Sequence, residues 1–156
     1  MNPASFRPVL LIEDDPNDLF LLRRAFQKGL GTDNILSIRN GEEAIQYLRS
    51  LLDPETAPLK EGEHEEVDIP SLILLDLKMP RKGGLEVLQW IQTQPTLKRI
   101  PVIVMSSSKA HVDVNKAYDL GANSYIVKPL EFHRMTEIVE MIGAYWLTIV
   151  RAANFQ

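Results

Sequence analysis

The sequence predicts a doubly wound α/β fold in which a five-stranded parallel sheet lies between two layers of helices. Five short apolar runs alternate with amphipathic stretches of helical length along the 156 residues. The runs 9–12, 72–75 and 102–105 show no polar alternation, which is typical of strands buried on both faces. A strand–helix–strand alternation of this kind folds with right-handed crossovers, so helices cover both faces of the sheet.

Each element has its own signal in chain order. The first helix follows Asp15, a favourable N-cap, with Pro16 at its first position and Asp18 three residues after the cap. The two remaining strands are predicted at 35–38 and 125–127. Apolar residues at helical spacing predict the other helices at 42–52, 85–91, 112–120 and from 132 onward.

Composition and charge exclude several classes of protein. The length fits one domain, 1–156. The absence of cysteine excludes a disulfide scaffold, thiolate metal sites, iron–sulfur clusters and a thiol nucleophile. A formal net charge of −4 does not indicate a nucleic-acid surface, and no apolar run approaches the ~20 residues of a membrane span. We therefore expect a cytoplasmic protein with no nucleic-acid partner and no membrane segment.

One segment departs from the alternation. Residues 53–70 contain three prolines, and seven acidic residues against a single lysine. A connection between a helix and a strand usually takes only ~2–6 residues. We interpret the segment as a solvated acidic insertion, and an acidic contact surface for a partner is the alternative.

Carboxylates follow two strands that are neighbours at the centre of the predicted sheet. Glu13 and Asp14 come directly after the first strand, and Asp76 comes directly after the third. Because the site of such a sheet lies beyond the carboxyl ends of its strands, the three side chains should converge. Together they would raise one another's pKa values, and a hard cation that prefers oxygen ligands, such as Mg²⁺, would relieve this. Helix capping is the alternative role for such an acid, and it fits Asp15 best.

A hydroxyl and an ammonium group follow the last two strands. Ser106 ends the fourth strand, and Lys128 follows the fifth and precedes Pro129, which restricts its backbone. Beside a metal-bound carboxylate these groups can share the oxygens of a phosphoryl group with the metal. Taken singly, a turn residue and a surface charge are the simpler interpretations.

Five motifs occur in the order that one protein family shows. They are Glu13-Asp14, Asp76-Leu77-Lys78-Met79-Pro80 with Gly84, Met105-Ser106-Ser107, Leu120-Gly121-Ala122, and Tyr125-Ile126-Val127-Lys128-Pro129. With them the sequence resembles the response-regulator receiver domains of two-component phosphorelays, over roughly residues 7 to 145. The resemblance implies the (βα)5 flavodoxin-like receiver fold.

The resemblance also implies a role for each site residue. Asp76 would accept a phosphoryl group from the phosphohistidine of a histidine kinase, with Ser106 and Lys128 as its catalytic partners. Asp14 would bind Mg²⁺, or Mn²⁺ instead, with Glu13 acting directly or through water and Lys78 through its backbone carbonyl. The acidic pair could also be Asp14-Asp15, but the capping role of Asp15 favours the first assignment.

Further positions in the family concern switching and decay. Ser106 and Tyr125 would couple phosphorylation to the face of the fourth helix, fifth strand and fifth helix. Lys78 and Ser108 occupy the positions that tune the decay of the aspartyl phosphate. The family also implies a cis Lys128–Pro129 bond. Such a receiver is no enzyme beyond catalysing its own phosphorylation and slow autodephosphorylation.

The C-terminal region suggests a stand-alone receiver that pairs with itself. Only 27 residues follow Pro129, so no output domain is expected. A helical extension predicted at about 145–156 carries more apolar residues than one domain can cover, among them Trp146 and Phe155. We expect a symmetric homodimer through the face of the fourth helix, fifth strand and fifth helix together with this extension, and a tail folded back on its own domain is the alternative. The insertion and the missing output domain resemble the small receivers paired with cyanobacterial phytochrome histidine kinases.

Three other functions are weighed against a phosphorylated receiver. A haloacid-dehalogenase-type phosphatase would need a second aspartate at the position of Lys78. A flavodoxin-like nucleotide binder would need a phosphate-binding loop where Glu13 and Asp14 stand. A receiver-like scaffold that binds partners without phosphorylation is the main alternative.

Overall fold

A parallel sheet of five strands lies at the centre of the computed structural model, which describes residues 7–53 and 69–153. The strand order is β2-β1-β3-β4-β5, and every neighbouring pair is parallel. The strands are β1 (Val9–Ile12), β2 (Ile35–Ile38), β3 (Leu72–Leu75), β4 (Val102–Ser106) and β5 (Ser124–Val127). The predicted doubly wound sheet is confirmed.

Two layers of helices cover this sheet. The helices are α1 (Pro16–Leu30), α2 (Gly41–Ser50), α3 (Gly84–Gln92), α4 (His111–Asp119) and α5 (Phe132–Ala144), with a short 3₁₀ turn at Leu97–Arg99. Val9 and Leu11 of β1 pack with α1 and α5, whereas Leu10 and Ile12 pack with α2, α3 and α4. Alternate residues of the strand thus serve opposite faces. Among the described residues, no helix has both the length and the apolar character needed to cross a membrane.

The register of the sheet brings the site-bearing positions to one edge. Ile12 of β1 pairs with Leu75 of β3, so the residues that follow these two strands lie side by side. Ser106 of β4 pairs with Val127 of β5, which places the end of β5 next to the end of β4. Four of the five strands therefore deliver polar residues to the same crevice.

The first helix begins as the sequence predicts. The Asp15 carboxylate accepts hydrogen bonds from the backbone N–H groups of Asn17 at 2.8 Å and Asp18 at 3.2 Å. Pro16 occupies the first turn, where the missing N–H costs no helical hydrogen bond. Because Asp15 is used as the cap, Glu13 and Asp14 are the two acids left at the end of β1.

The C-terminal helix ends earlier than predicted. After α5 one π-helical turn spans Tyr145–Ile149, and Val150 is already extended. The Val150 N–H donates to the Tyr145 carbonyl at 2.9 Å, five residues back, which is the backbone spacing of this wider turn. The turn directs Trp146 against the α1–α5 side of the core, so this residue is partly covered by its own domain. Of the predicted extension 145–156, residues 154–156, which include Phe155, lie outside the described part of the chain.

Most of the predicted acidic insertion, 53–70, also lies outside the described residues. At its far end Ile69 packs against the core layer of α2 and α3.

Candidate functional site

Three carboxylates converge beyond the ends of β1 and β3. Glu13, Asp14 and Asp76 each offer an oxygen, and these oxygens all lie within 4.8 Å of one another. Glu13 is 3% exposed and Asp76 is 7% exposed, so two of the three groups are nearly shielded from water. A compact set of oxygen donors with an open side suits a hard divalent cation such as Mg²⁺.

The ammonium group of Lys128 reaches into this carboxylate cluster from the end of β5. Its Nζ lies 2.7 Å from Glu13 Oε2, 2.8 Å from Asp18 Oδ2 and 3.6 Å from Asp76 Oδ2. The Lys128 side chain is only 12% exposed, so these contacts lie in a region of low solvent screening. Lys128 therefore balances part of the buried negative charge.

Burial is the main influence on the pKa values of the acids. It raises the pKa of Glu13 to about 7, with Asp76 adding to the rise and Lys128 opposing it. Burial also raises the pKa of Asp76, against the opposing charge of Lys128. The predicted rise in pKa is therefore right for Glu13 and Asp76. Its main cause is the loss of water on burial, and the predicted cause, repulsion between the acids, is secondary. For Lys128, burial favours the neutral form, and its pKa is nevertheless raised by hydrogen bonds to Asp18 and Glu13 and by the charges of Glu13 and Asp76.

The Lys128–Pro129 peptide bond is trans, since the described residues contain no cis peptide bond. The expected cis bond is therefore wrong for this structure. Trans is the lower-energy form of such a bond by ~0.5–1 kcal/mol, and in this form the Lys128 side chain already meets the acids.

A hydrogen-bonded loop after β4 connects Ser106 with Tyr125. Ser106 is fully buried, and its Oγ accepts a hydrogen bond from the N–H of Ser108 at 3.2 Å. The Tyr125 hydroxyl donates to the Ser108 carbonyl at 2.8 Å, so this aromatic side chain is fixed to the same loop. The Ser108 hydroxyl donates to Asp113 in the first turn of α4. Two hydrogen bonds thus connect Ser106 and Tyr125 through Ser108, one to its N–H and one to its carbonyl.

The loop between β3 and α3, residues 76–83, carries Lys78. Lys78 is exposed, and its backbone N–H binds the Asp76 carboxylate, which lowers the pKa of that group against the effect of burial. The loop is closed by a hydrogen bond from the Gly84 N–H to the Leu77 carbonyl at 2.9 Å. The Lys78 backbone therefore lies beside the carboxylate that is the expected phosphoryl acceptor.

Sequence reasoning assigned Asp18 to the helix start alone, whereas the structure also brings it to Lys128. Its carboxylate lies 2.8 Å from the ammonium group, and the corresponding distance for Glu13 is 2.7 Å. Asp18 lies on the first turn of α1, shortly after the acidic pair, and this position is the signal that could have placed it in the crevice. The tyrosine of α4, Tyr118, was also missed, and its hydroxyl accepts a hydrogen bond from the N–H of Tyr125 at 3.1 Å.

Known proteins resemble this chain in sequence and in fold. A family model described as the response regulator receiver domain matches residues 9–140, which is most of the chain. The chain belongs to the response regulator receiver family. Response regulators are signalling proteins of two-component systems, and a receiver of this family implies a histidine kinase partner. The resemblance recognised in the motifs is therefore confirmed.

Individual receivers resemble the chain over most of its length. The probable methanogenesis regulatory protein FilR2 of Methanothrix harundinacea is 37% identical over 89% of this chain and 83% of its own. Response regulator Rcp1 of Synechocystis sp. is 34% identical over 91% of this chain and 90% of its own. A crystal structure of Rcp1 in a Mn²⁺-bound form has a TM-score of 0.75 and covers 95% of this chain and 99% of that one. The phosphorylated cyanobacterial phytochrome response regulator RcpA is 35% identical, with a TM-score of 0.81, covering 96% of this chain and all of its own.

Prediction: without divalent metal, the free energy of unfolding falls as the pH rises from about 4.5 to about 7. Folded Glu13 holds its proton up to a pKa of about 7, against 4.5 as the ordinary value, so the native state binds more protons than the unfolded state in this range. Because one pKa unit corresponds to ~1.4 kcal/mol, the free energy of unfolding should fall by roughly 3 kcal/mol. Urea unfolding in EDTA at several pH values measures it.

The Glu13→Gln variant should flatten this pH slope, because the amide does not titrate. The exposed acid of α2 offers a matched control, and Glu42→Gln should keep the wild-type slope. Equal slopes for wild type and Glu13→Gln would contradict the assignment of this proton to Glu13.

Proposed function

We propose that the chain is a response regulator that accepts a phosphoryl group on Asp76 from a histidine kinase phosphohistidine in a Mg²⁺-dependent reaction. The observation that carries the proposal is the convergence of Glu13, Asp14 and Asp76 with the Lys128 ammonium at the carboxyl ends of β1, β3 and β5. This set combines a nucleophile, oxygen ligands and a cation in one crevice. A receiver-like scaffold that binds partners without phosphorylation would not require these groups to lie together.

The transfer needs little from the protein beyond orientation and charge. One Asp76 carboxylate oxygen attacks phosphorus, the bond from phosphorus to the donor imidazole nitrogen breaks, and that nitrogen keeps the electron pair and takes up a proton from water. An ionised carboxylate needs no general base for this attack. Lys128, at 3.6 Å from Asp76 Oδ2, stabilises the negative charge on the phosphoryl oxygens, and the Ser106 hydroxyl can donate to another.

Mg²⁺ would be held by Asp14, Glu13, Asp76 and the Lys78 carbonyl. When bound it supplies positive charge for phosphoryl oxygens that would otherwise meet three acids. The acidic donor set supports this role, since Glu13 and Asp76 are shielded from water and, among the described residues, only the ammonium group of Lys128 pairs with both. The Mn²⁺-bound form of Rcp1 supports Mn²⁺ as a substitute ion.

The switch is proposed to run through Ser106 and Tyr125. A phosphoryl group on Asp76 offers the Ser106 hydroxyl a new acceptor, and Ser106 would then leave the Ser108 N–H that it binds at 3.2 Å. Because the Tyr125 hydroxyl holds the same Ser108 by its carbonyl, movement of the loop changes the position of the tyrosine. The result is a population shift between two packings of the face formed by α4, β5 and α5. Decay of the phosphoryl group would be tuned at Lys78 and Ser108.

A phytochrome-type histidine kinase is the proposed upstream partner. The support is the similarity to RcpA and Rcp1 at 35% and 34% identity over almost the whole chain. The kinase would hold the chromophore and sense light, and this chain would carry the signal onward. A cytoplasmic location stays a prediction.

Prediction: the Asp76→Asn variant gains no phosphoryl group, whereas the wild type gains one, about 80 Da in mass, when incubated with acetyl phosphate and Mg²⁺. The asparagine keeps the side-chain shape but lacks the nucleophilic oxygen. Intact-mass spectrometry measures the adduct, with EDTA as the metal control. A kinase with a phosphorylated histidine serves as a second donor, and a wild-type chain that accepts nothing from either donor would favour the scaffold function.

We also propose a homodimer through the C-terminal face. A groove of about 370 Å³ lies between β5 and α5 and is lined mainly by apolar residues: Ile103, Ile126, Ile138, Met141, Ile142, Tyr145 and Trp146. Of these lining residues, Met141 and Tyr145 are 54% and 53% exposed, and Ile149, four residues after Tyr145, is 73% exposed. Although Trp146 is partly covered by its own domain, this apolar strip stays open to a second copy.

Prediction: Ile149→Glu gives a monomer at concentrations where the wild type is a dimer, because the charge enters the apolar contact. Leu52→Glu is the matched control, since Leu52 is an exposed apolar residue just beyond α2, and this variant should remain dimeric. Sedimentation equilibrium distinguishes the two states. A wild-type monomer at every concentration would contradict the proposal.

A further inference from the structure

The loop between β3 and α3 touches glycine backbone at two points. A Cβ atom built on Gly84 would lie 2.1 Å from the Asp76 carbonyl oxygen, and one built on Gly41 would lie 2.2 Å from the Lys82 carbonyl oxygen. Real Cβ atoms essentially never come closer than 3.0 Å to such atoms. Both contacts are made to backbone, so no side-chain rotation could relieve a clash.

The two contacts fix opposite ends of one loop. Gly84 lies against Asp76, where the loop leaves β3, and Gly41 is the first residue of α2 and lies against Lys82, near the start of α3. Between them the Lys82 N–H donates to the Pro80 carbonyl at 2.9 Å, which holds the far half of the loop together. Arg81 has a φ of 60°, a left-handed conformation that is uncommon for a residue with a side chain. The loop is thus held by its surroundings in a backbone shape that its own sequence does not favour.

The N-terminus of α2 has little freedom to retreat from this loop. The Asn40 side chain caps the helix by accepting from the Glu43 N–H at 2.8 Å. Ala44, Ile45 and Leu48 bury the inner face of the helix in the core. Because α2 is fixed by its cap and by the core, an added side-chain atom at position 41 would displace the loop.

Displacement of this loop would directly change the surroundings of the Asp76 carboxylate. Lys78 lies in the same loop, and its N–H binds the Asp76 carboxylate. The Lys78 carbonyl is also one of the proposed metal ligands, and metal affinity depends on how well such ligands are held in place.

We propose that Gly41 is a positioning residue for the metal site, which acts through the Lys82 backbone to hold the β3–α3 loop and the Lys78 carbonyl beside Asp76. This inference rests on the proposed function, since it takes the Lys78 carbonyl as a ligand. It assigns a role in the site to a residue on α2, an element that carries none of the acids, hydroxyls or cations of the crevice.

The test compares Mg²⁺ affinity and thermal stability in the unphosphorylated chain. Gly41→Ala should weaken Mg²⁺ binding about tenfold, the range seen when a group supporting a ligand is lost. The matched control is Gly143→Ala, whose new Cβ would lie 2.4 Å from a Leu30 side-chain atom at the α1–α5 contact. Its clash is similar in size but can be relieved by the side chain, and it should change Mg²⁺ affinity less than about twofold. Isothermal titration calorimetry gives the affinities.

Stability measured beside affinity separates positioning from general loss of structure. If Gly41→Ala lowers the melting temperature but leaves Mg²⁺ affinity unchanged, the proposal is wrong. Lys82→Gly is a second variant, which gives the loop backbone freedom at the same contact without adding an atom. It should stay folded and also weaken Mg²⁺ binding, so that the proposal remains testable if Gly41→Ala does not fold. A folded Lys82→Gly variant with unchanged Mg²⁺ affinity would contradict the proposal.

Amide hydrogen exchange in metal-free protein keeps this inference separate from the proposed function. Faster exchange of the Lys82 and Gly84 N–H groups in Gly41→Ala, with no change in Gly143→Ala, supports the loop contact even if the wild type binds no Mg²⁺. Absence of Mg²⁺ binding by the wild type would count against the proposed function and the Lys78 ligand. Unchanged exchange in Gly41→Ala would count against the positioning role alone.

Discussion

The site depends on the balance between buried carboxylates and the Lys128 ammonium. Glu13 and Asp76 are almost without contact to water, and such groups are costly to ionise unless an opposite charge is near. Lys128 supplies that charge at 2.7 Å from Glu13 and 3.6 Å from Asp76, and Asp18 also pairs with the ammonium group at 2.8 Å. The balance is incomplete, because the pKa of Glu13 is still raised to about 7. An incompletely neutralised acidic crevice is suited to a divalent cation, and with it to a phosphoryl group.

Sheet geometry brings these charges together. β1 and β3 are neighbours in register, so Glu13 and Asp76 follow paired residues, and β4 and β5 bring Ser106 and Lys128 to the same edge. The helices add the less obvious parts: α1 contributes Asp18, and α2 supports the β3–α3 loop through Gly41. The same loop after β4 that receives Ser106 also binds the hydroxyl of Tyr125, which connects the crevice to the edge strand. The proposed phosphoryl chemistry and the proposed output face thus depend on the same backbone segments.

The sequence predicts the strands and the acidic cluster well, and it is weaker where long-range contacts decide. Unbroken apolar runs identify β1, β3 and β4, and Asp15 identifies the start of α1, because burial and capping leave local patterns. The position of Asp18 on the first turn of α1 points toward the crevice, but its contact with Lys128 joins residues 110 positions apart, so no local pattern identifies that partner. The π-helical turn that returns Trp146 to the core, the trans Lys128–Pro129 bond and the dominance of burial in the Glu13 pKa likewise depend on the folded environment.

The central claim, that this crevice directs a phosphoryl group to one carboxylate, is tested most directly by mapping the modified residue. Borohydride reduces an aspartyl phosphate to homoserine, and peptide mass spectrometry then identifies the position. We expect homoserine at 76 alone, formed only when Mg²⁺ is present during phosphorylation. Reduction at Asp14 or Asp18, a phosphate on Ser106, or modification at Asp76 that is equally efficient in EDTA would contradict the account.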